Sequence, residues 1–176
     1  MVACGNDSTS SGAVEVGEKE WKKSETGLPA DDLALNAIPD ADVFGKVRWL
    51  LTTLQSEYNR TEGLMPNTGK VTVLLDENLT MTIRNTFGGR TYESRANLKD
   101  LNPASESVGI IVDELPGEFP GMKFFVLDGS AKVEKLENGS VKSKSDHLEI
   151  IMGDRIAIEN SVTAMLMAIQ TAHGQL

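Results

Sequence analysis

Cysteine is nearly missing from this chain: of its 176 residues only Cys4 carries a thiol. A lone thiol cannot close a disulfide within the chain and cannot contribute to a multi-cysteine metal site. Imidazole is almost as scarce, with His147 and His173 alone, and aromatic residues make up only 5% of the chain. No stretch approaches the roughly 18 consecutive apolar residues that a membrane-spanning helix needs. A basic stripe is also lacking. Lys and Arg number 17 against 26 Asp and Glu, a net charge of −9, so a phosphate backbone finds no electrostatic footprint and nucleic acid is not expected as a partner.

Recognisable catalytic motifs are absent too. The chain contains no Gly-x-Ser-x-Gly elbow, no Walker loop and no dinucleotide-binding loop. Gly88-Gly89 falls between two predicted strands rather than at a helix start, so it is not a phosphate cradle. Asp76-Glu77-Asn78 offers oxygen ligands but lacks calcium-loop spacing, and it is expected to be a plain turn. No metal or cofactor is expected.

What remains is ordinary in composition, with 40% hydrophobic and 24% charged residues. That suits one soluble domain with a tail. The negative charge is concentrated early, since residues 1–40 hold eight acidic and three basic side chains. Residues 5–27 are rich in Ser, Gly, Glu and Lys, with Trp21 as their one large apolar side chain. They bury too little surface to offset ordering entropy, and a disordered tether over 1–27 is expected. The single domain is placed at 28–176. Leu28, Leu33, Leu35 and Ile38 suggest a turn on its edge.

After Asp40, read as an N-cap, Val43, Val47, Leu50 and Leu54 recur at helical spacing, with Phe44, Leu51 and Tyr58 widening the face. The helix is predicted to run to Asn59, with Lys46, Gln55 and Glu57 turned to water. From residue 70 the period becomes two. Val71, Val73 and Leu75, then Leu79, Met81 and Ile83, mark half-buried strands. Arg90 to Leu98 returns after Gly88-Gly89. Val108 to Val112 and Met122 to Leu127 are short apolar strands, the second central. A strand over Ala131 to Leu136 and another over Ser140 to Ser145 flank Asn138-Gly139, the strongest hairpin signal in the chain. Lys142 and Lys144 suit an exposed edge. Leu148, Ile150 and Met152 close the sheet. A final helix carries Ile158, Val162, Met165, Leu166 and Ile169, with His173 near its C-terminus. The class is α+β: an antiparallel sheet or barrel of about seven strands, with a helix before it and a helix after it.

Two resemblances follow from these residues. Val2-Ala3-Cys4 resembles the lipobox of bacterial lipoproteins, although Met1 stands where an aliphatic residue is usual and no apolar run precedes it. That resemblance implies a lipid on Cys4, a membrane attachment in the cell envelope, and a tether leading to the domain. Seven strands followed by a closing helix is similar, by element order only, to the PH-like barrel. Such a shape does not itself imply a function.

Chemistry is thin in the folded part. Asp146 and His147 are adjacent, but successive strand residues point to opposite faces and are not expected to cooperate. No catalytic residue is assigned. Residues 114–121, stiffened by two Pro-Gly turns, form the expected contact region. Leu115, Phe119 and Met122 are its partner-binding candidates, with Phe119 the expected exposed aromatic. The leading expectation is therefore an envelope-anchored, non-catalytic protein- or ligand-binding domain with a protein partner in the envelope. The alternatives are a small carboxylate-dependent hydrolase or enzyme accessory using Asp113 and Asp146, and a soluble cytosolic interaction domain.

Overall fold

The first helix starts where Asp42 turns its carboxylate back onto the Gly45 amide, 2.7 Å away. An N-cap of this kind satisfies one of the orphan donors of the first turn. The cap is Asp42 rather than the expected Asp40, and helix α1 runs over Val43–Arg60. Its apolar stripe of Val47, Leu50, Leu51, Leu54 and Tyr58 is buried. Helix α2, Arg155–Ala172, is capped in the same way by Asp154, whose carboxylate accepts from the Ile156 amide. The two helices pack on one another more extensively than either packs on any strand. The computed structural model describes residues 12–17, 40–66, 68–111 and 119–176. Trp21, the apolar residues of 28–38, Asp113 and Leu115 lie outside the described residues.

Among the described residues nine antiparallel strands lie between and before the helices. They are β1 (Val14–Glu15), β2 (Lys70–Leu75), β3 (Thr80–Phe87), β4 (Arg90–Asn97), β5 (Val108–Ile111), β6 (Gly121–Phe125), β7 (Val133–Glu137), β8 (Ser140–Ser145) and β9 (His147–Ile151). They form a six-stranded sheet ordered β1-β2-β3-β4-β7-β8 and a three-stranded sheet ordered β5-β6-β9. The class is α+β, as the periodicity suggested. Among the described residues the strands do not close into a barrel, so the PH-like shape is replaced by two sheets. Asp146 alone separates β8 from β9, and there the chain leaves one sheet for the other. An isolated bridge between Leu101 and Val126 stitches the sheets together.

Local chemistry explains the turns. Gly88 and Gly89 have φ of 59° and 75°, and Asn138 and Gly139 have φ of 49° and 77°. Two consecutive left-handed residues are the mark of the primed hairpin turns whose twist matches that of the strands. The Asp76 carboxylate accepts from the amides of Asn78 and Thr80, which makes the Asp76-Glu77-Asn78 segment a self-closed turn. The core runs from α1 through Val73, Leu75 and Met81 to Met122, Phe124, Leu148 and Ile150.

Three local expectations are corrected. Val14 and Glu15, placed in the tether, pair with Leu75 and Leu74, and Val16 is only 4% exposed. Residues 12–17 therefore belong to the fold. Gln55 and Glu57, expected to face water, are both buried. Gln55 faces β2, where its Oε1 accepts from the Val73 amide at 2.6 Å and its Nε2 donates to the Val71 carbonyl at 3.0 Å. β1 and Val16 cover β2 as far as the Val73 carbonyl, which accepts from the Val16 amide at 3.0 Å, and beyond it the Gln55 amide takes the place of a neighbouring strand at the Val73 amide and the Val71 carbonyl. Glu57 accepts from Arg60 Nε at 2.7 Å and from Asn160 Nδ2 at 2.9 Å, and Arg60 also reaches Asp154 at 2.8 Å. This chain of polar contacts ties the end of α1 to the start of α2.

Candidate functional site: an apolar cleft beside Phe119

Near the C-terminal end of α1, residues of β2 and β3 line a common hollow with Tyr58. Val71 and Asn85 stand opposite one another across these strands, with Val73 and Ile83 beside them on the same face. The start of β6 and the end of β9 approach from the other sheet, bringing Phe119 and Ile151. Between them lies an open cleft of about 300 Å³, floored by Tyr58, Val71 and Ile83 and walled by Met65, Phe119 and Ile151. Its lining is mostly apolar, with Thr68 and Asn85 as polar points. The Asn85 side chain is already committed, since its Oδ1 accepts from the Gly69 amide at 3.1 Å. Burial pushes the Tyr58 phenol well above its ordinary pKa, so it stays neutral at the cleft floor. A concave apolar lining with few polar groups is the usual chemistry of a small-ligand or side-chain pocket, and this volume lies at the lower end of that range.

The sequence-derived candidates separate here. Phe119 is half-buried and lines the cleft. Met122 is a correction: it is 0% exposed, because its register on β6 points it with Phe124 into the core. A partner cannot reach it without unfolding the sheet. Tyr58, Val71 and Ile83 were each legible as apolar positions in their own elements, whereas Ile151 lies on the face opposite the Leu148-Ile150-Met152 stripe and was not singled out. The convergence of the four was not legible, since they come from four elements up to 93 residues apart, from Tyr58 to Ile151.

Asp146 and His147 also depart from expectation. His147 Nδ1 lies 2.7 Å from Asp146 Oδ1. Asp146 falls at the bend between β8 and β9, so strand alternation does not apply there. The contact holds the Asp146 carboxyl below the usual carboxylate range. The imidazole leans on the Phe125 ring, with centroids 5.6 Å apart. The nearby Ser145 hydroxyl donates to the His147 carbonyl at 2.6 Å rather than to the ring. A base and an orienting acid are thus present, and no nucleophile is aligned with them among the described residues. His173, expected to complement its own helix end, instead places Nε2 3.0 Å from the Leu101 carbonyl, pinning α2 to the junction of the sheets. Among the described residues no group of three or more His, Cys, Asp or Glu side chains is arranged to hold a metal ion. No described helix is long and apolar enough to cross a membrane.

The fold and cleft together define an α+β domain with an open apolar pocket at the junction of two sheets. Comparison with known proteins gives no match: no protein-family model, curated protein or solved structure aligns significantly with the chain.

Proposed function

We propose that this chain is a non-catalytic binding domain, carried at a bacterial cell envelope by a lipid on Cys4, which receives an apolar group of a protein partner or small ligand in the cleft beside Phe119. The cleft carries this reading. An aromatic side chain held half-exposed at the rim of an apolar hollow is a low-entropy contact, and aromatic anchors dominate binding energy at interfaces. Val2-Ala3-Cys4 supports the attachment, because diacylation or triacylation of one cysteine supplies the two or more chains that stable anchoring takes.

Two measurements test the two halves separately. A photo-crosslinking benzoylphenylalanine at position 119, in the full-length protein expressed in its own cells, should yield a discrete adduct. Substituting Ile151→Glu should abolish it. Absence of any adduct, or an identical adduct from a probe at exposed Val141, overturns the binding reading. Growth on an alkyne-bearing fatty acid should label the protein, and Cys4→Ser should remove the label. An unlabelled wild-type protein overturns the anchor.

A further inference from the structure

Six of the seven methionines lie among the described residues, and their thioethers are not equally accessible. Met81, Met122, Met152 and Met165 are 0% exposed and Met167 is 7% exposed, all within the core. Met65 alone of the six is half-buried. It is also the one described methionine that lines the cleft beside Phe119. Its position there is fixed by its neighbours. The buried Thr61 hydroxyl donates to the Glu57 carbonyl at 2.8 Å, and the Leu64 amide donates to the Thr61 carbonyl at 3.1 Å. Leu64 packs so closely on Gly153 that a Cβ added to the glycine would run into its side chain.

A thioether on such a wall is a soft, apolar contact. Its first oxidation product is not. A sulfoxide is polar and chiral, and its oxygen is a hydrogen-bond acceptor. The polar points of the same lining can donate to it. The Asn85 Oδ1 accepts from the Gly69 amide, which turns Nδ2 to other partners, and Thr68 carries a hydroxyl. The cleft thus has a place for the oxidised side chain as well as for the reduced one.

We propose that Met65 is a site of reversible oxidation by hydroperoxides, and that its sulfoxide closes the Phe119 cleft to apolar groups. In the forward step a lone pair of the Met65 sulfur attacks one peroxide oxygen. The S–O bond forms, the O–O bond breaks, and the other oxygen leaves as water or an alcohol after taking up a proton. The sulfur gives up an electron pair and the peroxide accepts it. Methionine sulfoxide reductases reverse the change: the sulfoxide oxygen departs as water, and a dithiol is oxidised to a disulfide. An apolar group entering the oxidised cleft meets a polar oxygen that must be desolvated, and its binding should weaken by about tenfold. This gating rests on the cleft being the binding site proposed above, whereas the selective oxidation of Met65 does not.

Two measurements test it. The purified full chain with Cys4→Ser, which removes the competing thiol, is treated with dilute hydrogen peroxide and mapped by peptide mass spectrometry. Met65 should gain an oxygen before Met81, Met122, Met152, Met165 or Met167, and sulfoxide reductases of both stereospecificities should remove it. An unmodified Met65, or core methionines oxidised as fast, overturns the proposal. The second measurement uses the benzoylphenylalanine adduct at position 119 in cells with and without peroxide. Its yield should fall by about tenfold on treatment. With Met65→Leu, which keeps an apolar wall without an oxidisable sulfur, treated and untreated yields should match. An adduct insensitive to peroxide, or one equally sensitive in the Met65→Leu protein, overturns the gating and leaves the binding reading intact. No adduct before treatment overturns the binding reading, and the gating with it.

Discussion

Replacing Gln55 should destabilise the protein far more than its polar character suggests. Its side chain is buried in the seam between α1 and β2, and it satisfies two backbone groups at once, the Val71 carbonyl and the Val73 amide. Gln55→Leu keeps roughly the same volume and removes both partners. Each buried backbone group left unpaired costs about 1–3 kcal/mol. The apolar replacement recovers part of this through burial, which leaves a net loss of about 2–4 kcal/mol. Gln55→Glu is the sharper probe. An ionised carboxylate can still accept from Val73, but it faces the Val71 carbonyl with no proton to donate. Burial and this opposed oxygen raise the folded-state pKa of the new carboxyl above its unfolded value of about 4.3. The protonated form, which donates to Val71, is then the one favoured by folding. The Gln55→Glu protein should approach wild-type stability below about pH 4 and lose stability as the pH rises from there to its folded pKa, with the full deficit above. Urea denaturation from pH 3 to pH 8, wild type beside both variants, reads this directly. A Gln55→Leu loss under about 0.5 kcal/mol, or a Gln55→Glu deficit that does not change with pH, refutes the view that this amide completes the sheet.

Other outcomes follow from the same contacts. Met122→Ala should cost about 2–5 kcal/mol in chemical denaturation, the usual range for emptying a fully buried position, whereas Phe119→Ala should cost about 1 kcal/mol and act on binding instead. Gly69→Ala should destabilise by about 1–3 kcal/mol, because an added Cβ would run into the Thr86 carbonyl oxygen; thermal melting of that variant checks it. The Asp154 carboxyl is held below its usual range, first by the Ile156 amide and then by Arg60. Its contribution is therefore present above the ordinary carboxylate pKa and lost as the pH falls through the depressed folded value. Asp154→Asn should consequently flatten the acid limb of the stability profile, and an unchanged limb would contradict the assignment.

Much of the fold could be read in the chain because it rests on local rules. The stripe from Val47 to Tyr58 has only one regular way to face a core. Gly88-Gly89 and Asn138-Gly139 take the left-handed conformations that a two-residue hairpin demands, and these are open to few other residue types. Lys142 and Lys144 mark an edge strand by their own chemistry. The candidate site was less legible. Phe119 stood out as an aromatic between turns, but nothing in its neighbourhood reveals that Tyr58 and Ile151 come to meet it. Met122, three positions further on, carries the same apolar label and lies in the core, since strand register rather than side-chain type decides which face it takes.

Composition, period and turn chemistry alone therefore determine the two helices, the alternating strands and the α+β class, because each depends on interactions within a few residues. Tertiary structure decided the rest. It determined that β7 and β8 extend the sheet of β4 while β9 returns to β6, that a glutamine stands in for a strand, and that a bend at Asp146 brings it against His147. Those outcomes depend on groups distant in sequence sharing one small volume, where an unpaired backbone amide or a buried carboxylate must find its partner wherever the fold has placed one.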